Sequence, residues 1–346
     1  MNTKGPKKKK QHYVPKFYLR GFCGSGDTVF ALDKESGGIF TPSVGDFCAE
    51  RYLYESLSND PNWYKGKFVY PNYTEDGLCE LESAFAPVLK RVAALCVPNA
   101  PFTCVGDDDA RIIASFVANA IARHPSVFKP LRNELMLSAS EEDLSPYRDL
   151  MRALGHEGAF EGVAAEGVTR RLLLDTGDGS YQGLIVGELL EMEGIVLRAP
   201  GCASFATASF PVLPVVRETG GRDRLSSLYC PISPNAAVIY GPGPRRGMGG
   251  CELLGARDVV RLNAAYFEAD FVRFVVAKDR RTLEEARSFA EAKRPSPPSR
   301  RSICRPGRPW RFRGLCSGGR PEPACRGTPR SSSCPGSLAA SRTPTA

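Results

Sequence analysis

The chain lacks any apolar run long enough to cross a bilayer. Its longest apolar-rich stretch, Ile112 to Ala122, is about half of the roughly 20 residues a spanning helix needs, which excludes membrane insertion. Histidine is scarce: His12, His124 and His156 are the only three, and no H-x-H or H-E-x-x-H spacing occurs. The 12 cysteines contain no C-x-x-C pair. Both absences argue against a zinc site. There is no G-x-S-x-G elbow and no Cys/His nucleophile context, so Cys23 and Cys48 read as buried thiols. The glycine-rich run Gly241–Gly250 has no Gly-Lys-Ser/Thr ending, and its two prolines remove amide donors; it reads as a flexible surface loop, not a phosphate cradle. No apolar segment follows the basic N-terminus, and the eight cysteines before residue 294 are scattered. These features predict a cytoplasmic protein with free thiols.

Lysine is missing from the last 53 residues, where 11 Arg, 10 Pro, 9 Ser, 6 Gly and 4 Cys face a single acid, Glu322. That segment carries +10 of a whole-chain charge of +8, and Lys4, Lys7, Lys8, Lys9 and Lys10 carry another +5, so residues 11–293 sit near −7. The basic balance is therefore not a property of the body. The composition changes abruptly at Lys293–Arg294, inside a stretch patterned as a helix. An Arg/Pro/Ser/Gly/Cys vocabulary of this kind is what a shifted frame of GC-rich DNA encodes, and we read residues 294–346 as an out-of-frame translation. The alternative is an authentic disordered Arg-rich tail able to tether nucleic acid. Either reading predicts no packed core there, because apolar content is too low to offset chain entropy. Residues 1–10 form a basic, disordered head with non-specific attraction for phosphate.

What remains, residues 11–293, suits a single α+β domain. Thr28–Asp33 and Gly38–Thr41 are spaced as an N-terminal β-hairpin, and Phe47–Tyr54 and Lys67–Tyr70 complete an aromatic-rich region. Central helices follow at Glu80–Leu95, with Pro87 at an early turn or kink, and at Asp107–Ala122, whose three leading Asp suit a helix N-terminus. Further helices are expected at 127–137, 141–154, 161–173 and 181–192. Short antiparallel strands are expected at Ile195–Leu197, Ser204–Thr207, Leu228–Ile232 and Ala236–Tyr240. A closing helix, Arg257–Val276, follows. No internal repeat is visible.

The most specific stretch is Gln11–Phe22, QHYVPKFYLRGF, where Tyr13, Phe17, Tyr18 and Phe22 crowd around His12, Lys16 and Arg20. It resembles the opening His-Tyr-Val-Pro-x-Phe-Tyr-Leu-Arg-x-Phe pattern of a bacterial domain-of-unknown-function family, number 4238. Glu80–Pro87 is similar to that family's first long helix, Ala122–Pro125 to its Arg-x-Pro helix end, Cys230–Pro234 to its Pro-Leu-Ser-Pro strand and Arg261–Asn263 to its Leu-Asn helix. Where the family reads Thr-Ser-Asp-Asn-Pro-Val, this chain has Ser209 for the Asp and Phe210 for the Asn. If that carboxylate works in a site, the resemblance implies a divergent or impaired member. The family brings no established activity or cofactor.

Helical spacing singles out polar groups on apolar stripes. Glu82 shares a face with Phe85, Leu89 and Val92. Asn119 and Arg123 extend the Ile112/Phe116 stripe, and Asn263 and Asp270 flank Tyr266. Such groups need partners, since an unpaired buried charge costs several kcal/mol. One reading is a structural ion pair, Glu82–Arg123 or Asp270 with an Arg, closing the core. The other is a cleft in which His12 and Glu82 are catalytic while Arg20, Asn119, Arg123 and Asn263 bind substrate. His12 alone also fits a satisfied structural role. Two functions follow: a hydrolase-like enzyme acting on a phosphodiester or nucleotide, or a non-catalytic interaction module, for instance of a bacterial defence locus. No metal is assigned, no cofactor is identified, and nucleic acid or nucleotide is the candidate partner. Packing of Gln11–Phe22 on the helices should bring His12 and Arg20 to Glu82, Asn119, Arg123 and Asn263.

Overall fold

A computed structural model describes residues 8–64, 66–96, 105–219, 222–243 and 247–292, of which 215–219 and 222–225 are described by their backbone alone. The segment read as out of frame, 294–346, and the first seven residues of the basic head lie outside the described residues. The opening motif forms strand β1 (Lys10–His12) and the short helix α1 (Lys16–Arg20). Strands β2 (Phe30–Asp33), β3 (Ile39–Phe40) and β4 (Ala49–Arg51) follow. Five long helices fill the middle: α2 (Tyr73–Leu95), α3 (Asp107–Ala122), α4 (Pro125–Ser138), α5 (Glu141–Ala153) and α6 (Phe160–Leu173), then α7 (Tyr181–Glu191). The C-terminal part adds β5 (Glu193–Arg198), β6 (Thr207–Ala208), β7 (Leu213–Thr219), β8 (Arg222–Ser233), β9 (Ala236–Gly241) and β10 (Gly247–Leu253). It ends with α8 (Ala256–Glu268), β11 (Phe274–Ala277) and α9 (Arg280–Ala292). The α+β class is as expected, and the helix boundaries after residue 105 fall within two residues of the expected ones, apart from the last.

Local chemistry explains most of those boundaries. Asp107, Asp108 and Asp109 open α3, where their charge complements the helix dipole. His124 caps α4 by accepting from the Ser126 N–H through Nδ1 at 3.3 Å, with Pro125 in the first turn. Ser140 and Asp143 form a reciprocal capping box on α5. Ser180 Oγ accepts from the Gly183 N–H at 2.9 Å to start α7.

Three expectations are corrected. The first long helix begins at Tyr73, not Glu80, so Pro87 lies in its interior. Gly77 hides that earlier start; it lies against the Leu174 side chain at the end of α6, 2.6 Å from where a Cβ would sit. The closing helix stops at Glu268, and Phe274–Ala277 is a strand. Lys34, in the hairpin turn, donates to the carbonyls of Tyr266 (3.0 Å) and Ala269 (2.7 Å), tying down the α8 C-terminus. The β-branched and aromatic run that follows suits a pleated surface. Finally, part of the supposed Gly241–Gly250 loop belongs to β10, which pairs in parallel with β5. The expectation of antiparallel strands holds for the other pairings in that sheet.

The strands form a two-stranded sheet β1-β4, a four-stranded sheet β3-β2-β11-β6 and a five-stranded sheet β10-β5-β9-β8-β7. The expected hairpin is present, with Ala31 opposite Phe40 and Leu32 opposite Ile39. Its sheet is completed from the far end of the chain, with Val275 opposite Leu32 on one side and Ala208 on the other. The core runs from the opening motif to α2, α3 and the five-stranded sheet. Phe116 of α3 lies 6.1 Å from Phe17, 5.3 Å from Tyr18 and 5.9 Å from Phe85 between ring centroids. The Tyr18 hydroxyl is fully buried between Thr207 Oγ1 at 2.6 Å and the Pro231 carbonyl at 2.7 Å. A satellite core of Trp63, Val69, Met151, Ala159 and Val163 seats the 56–70 loop on α5 and α6.

Candidate functional site

The opening motif carries β1 into the junction between α2 and α3. Arg123, at the C-terminus of α3, is completely buried there. Its Nη1 donates to Glu82 Oε1 at 2.8 Å and its Nη2 donates to the backbone carbonyl of His12. Glu82 keeps 22% of its side-chain exposure. The Tyr54 hydroxyl donates to the Arg123 carbonyl at 3.0 Å. Gln11 locks the strand from its other side, accepting from the Tyr54 N–H at 2.7 Å and donating to Glu55 Oε1 at 2.6 Å. Helix α2, helix α3 and the 52–55 turn therefore all close on three residues of strand.

His12, Glu82 and Arg123 are thus brought together, but through the histidine's backbone. Its imidazole is buried against Val44 and Gly45. Burial pulls its pKa down to about 4, with the positive charges of Lys16 and Arg123 adding to the fall and neighbouring backbone groups opposing it. Nothing in the sequence pointed to Glu75, which lies two turns before Glu82 on the same face of α2. Burial pushes its carboxyl up to about 7; Arg123, Lys8 and Lys16 oppose that rise and Glu82 adds to it. His12 Nε2, Glu75 Oε2 and Arg123 Nε are all buried without a hydrogen bond to any described residue.

The remaining expected site residues go elsewhere. Arg20 is on the surface, paired with Asp27 Oδ1 at 2.9 Å and 57% exposed, because α1 turns its last residue outward. Asn119, one helical turn before Arg123, donates to the Leu173 carbonyl and Gln182 Oε1, both at 3.1 Å, and so joins α3 to α6 and α7. Asn263 accepts from the Ala206 N–H at 2.8 Å and donates to the Ser204 carbonyl at 2.9 Å, fixing the chain before β6. Asp270 lies beyond the end of α8 and is exposed, so it does not share the inner face with Asn263. His124 stacks edge-on with Tyr13 (5.1 Å) and Phe210 (4.7 Å), and burial lowers its pKa to about 3. Ser209 Oγ accepts from the N–H groups of Arg273 (3.3 Å) and Phe274 (3.1 Å), so it starts β11. A carboxylate would have the same use there, which gives this substitution a structural reading.

A concavity of about 570 Å³ lies along α7, lined by residues including Gly183, Leu184, Gly187 and Met192 and by none of the expected site residues. Among the described residues, no group of three or more His, Cys, Asp or Glu is arranged to hold a metal ion. No helix among them is long and apolar enough to cross a membrane. An α+β fold with a buried Arg clamp on its opening motif is thus the class of protein at hand. The chain belongs to the family described as "protein of unknown function (DUF4238)", whose model matches residues 10–281. No curated protein and no solved structure matches it.

Proposed function

We propose that this protein is a non-catalytic interaction module of the bacterial cytoplasm. The observation that carries the reading is the use made of Arg123: both guanidinium nitrogens with partners are engaged by Glu82 and by the backbone of the motif itself. A hydrolase-like role on a phosphodiester or nucleotide asks for an accessible imidazole beside a carboxylate, and for Arg20 and Arg123 facing one ligand. His12 is 3% exposed and Arg20 is bound to Asp27. The seven described cysteines are free thiols, which suits a reducing compartment.

An aromatic ribbon over the satellite core supplies a surface of the kind that partners recognise. Tyr64 is 56% exposed and Tyr73 is 47% exposed. Between them Trp63 lies 4.9 Å from Tyr64 and 6.2 Å from Tyr70, which is 6.3 Å from Tyr73, and the Arg170 guanidinium sits 4.2 Å over the Tyr73 ring. Tyr, Trp and Arg are the residues that dominate binding hot spots. A partner encoded beside this gene, as in a defence locus, is the expected occupant. The test is paired. Purified protein should not hydrolyse bis-p-nitrophenyl phosphate or nucleotides faster than its His12→Ala variant. Tyr64→Ser with Tyr73→Ser should leave the melting temperature unchanged while abolishing co-purification with the product of a neighbouring gene. Turnover that disappears in the His12 variant refutes the module reading.

A further inference from the structure

Backbone strain in this protein gathers around the opening strand. Among the described residues three non-glycines have positive φ: Cys48 at 53°, Tyr52 at 57° and Asn72 at 65°. Asn adopts such a conformation readily, but Cys and Tyr do so only where their surroundings hold them, so Cys48 and Tyr52 are the strained pair. All three grip the segment from Lys8 to Tyr13. The Cys48 carbonyl accepts from the Tyr13 N–H at 3.0 Å, and the Tyr52 N–H donates to the Lys9 carbonyl at 3.0 Å. The Asn72 amide accepts from the Lys8 N–H at 3.3 Å and donates to the Lys8 carbonyl at 3.2 Å.

The clamp at the other end of that segment is incompletely used. A guanidinium presents Nε and Nη2 along one edge, the edge that carboxylates engage with both oxygens. In Arg123, Nη2 holds the His12 carbonyl, while Nε makes no hydrogen bond to a described residue. Glu75, whose Oε2 is likewise buried and without such a bond, feels Arg123 as the strongest of its charged neighbours. A neutral carbonyl therefore occupies half of an edge for which a nearby carboxylate is the stronger ligand once ionised.

We propose that the strand Lys10–His12 is a proton-controlled latch: when Glu75 gives up its proton to solvent, its carboxylate engages the Nε–Nη2 edge of Arg123, and the guanidinium releases the His12 carbonyl. Relief of the positive φ at Cys48 and Tyr52 then favours opening. Burial puts the Glu75 transition near neutrality, at about 7. The other charges facing it are Arg123 on α3, Glu82 on α2, and Lys8 and Lys16 of the opening segment. The neighbouring Tyr54 hydroxyl is held neutral by burial. His12, lowered to about 4, does not change charge in this range. Glu55, also raised by burial and bonded to Gln11 and the Asn72 N–H, is a second carboxyl in the latch and serves as a control. The inference rests on Arg123 being a structural clamp, as proposed above.

Amide hydrogen exchange on the full-length protein tests it, read at Tyr13, Tyr52 and Tyr54 and corrected for intrinsic rates. Protection should fall at least about tenfold between about pH 6 and about pH 8.5 in the wild type, and less than about twofold in Glu75→Gln. Glu55→Gln should keep the wild-type fall. Equal wild-type protection at the two pH values overturns the latch, and so does a wild-type fall in the Glu75 variant. If Glu75→Gln fails to fold, Glu75→Leu is read in its place, and the wild-type comparison stands without either. Hydrolytic turnover would overturn the module reading while leaving this readout intact.

Discussion

Replacing His12 with Leu separates a structural histidine from a working one. The imidazole is buried, and its pKa moves from 6.5 in the unfolded chain to about 4 in the fold. A base with a depressed folded-state pKa gives stability that is fully present above the unfolded value. That stability is lost as pH falls toward the folded value, because the unfolded chain takes up a proton the folded one refuses. The native protein should therefore lose about 2 kcal/mol between pH 8 and pH 5 from this residue, at about 1.4 kcal/mol per pKa unit. Leu has no proton to gain and removes a buried polar atom that has no bond to a described residue. The clamp survives, since Arg123 holds the backbone carbonyl of residue 12. Urea titrations at several pH values should show the stability of the variant relative to the wild type rising by about 2 kcal/mol between pH 8 and pH 5, whatever Leu loses by not bonding the Val44 and Gly45 backbone. Parallel curves for the two proteins would mean that His12 titrates as an exposed group, and the burial argument would fail.

Other consequences are more local. Tyr18→Phe should destabilise by about 1–2 kcal/mol in thermal or urea unfolding, because Thr207 Oγ1 and the Pro231 carbonyl lose a fully buried partner. Gly162→Ala, which improves helix propensity, should nevertheless destabilise by about 1–3 kcal/mol, because a Cβ there would lie 2.0 Å from the backbone carbonyl oxygen of Leu57; a raised melting temperature would show that the chain at Leu57, bridged to Phe68, yields. Resequencing across codon 293 should reveal a frame whose translation continues the amphipathic pattern of α9; no better continuation in either other frame leaves the Arg-rich segment authentic.

Much of the fold was legible where local signals agree. The three leading Asp marked the start of α3, and the helices expected at 141–154 and 181–192 match α5 and α7, whose starts Ser140 and Ser180 cap. Errors arose where a distant contact overrides a local preference. Gly77 argues against a helix until its packing against Leu174 is seen. The run after Glu268 looks helical until Lys34 ends α8 and β2 pairs with the residues that follow. At the site, stripe spacing brought Glu82 and Arg123 together correctly, since both face the core from adjacent helices. Spacing could not tell that the third partner is the carbonyl of His12, because every residue has one. Arg20 was misassigned because α1 is too short for a periodic pattern to say which side faces outward. Glu75 left no mark: its carboxyl matters through burial, which only the packed structure defines.

The four-stranded sheet joins the two ends of the described chain, and this governs how the protein can be made. Strand β11, near the end, lies between β2, from the first tenth of the sequence, and β6. A ribosome must therefore deliver almost the whole body before β2 and β6 have the strand between them. Until then, the hairpin waits with an open edge for a partner more than 200 residues away. Such non-local closure is slow, and exposed edges invite pairing with other chains. A chain terminated before Phe274 would lack the strand that unites this sheet, so truncation there should yield aggregation and proteolysis instead of a smaller working domain.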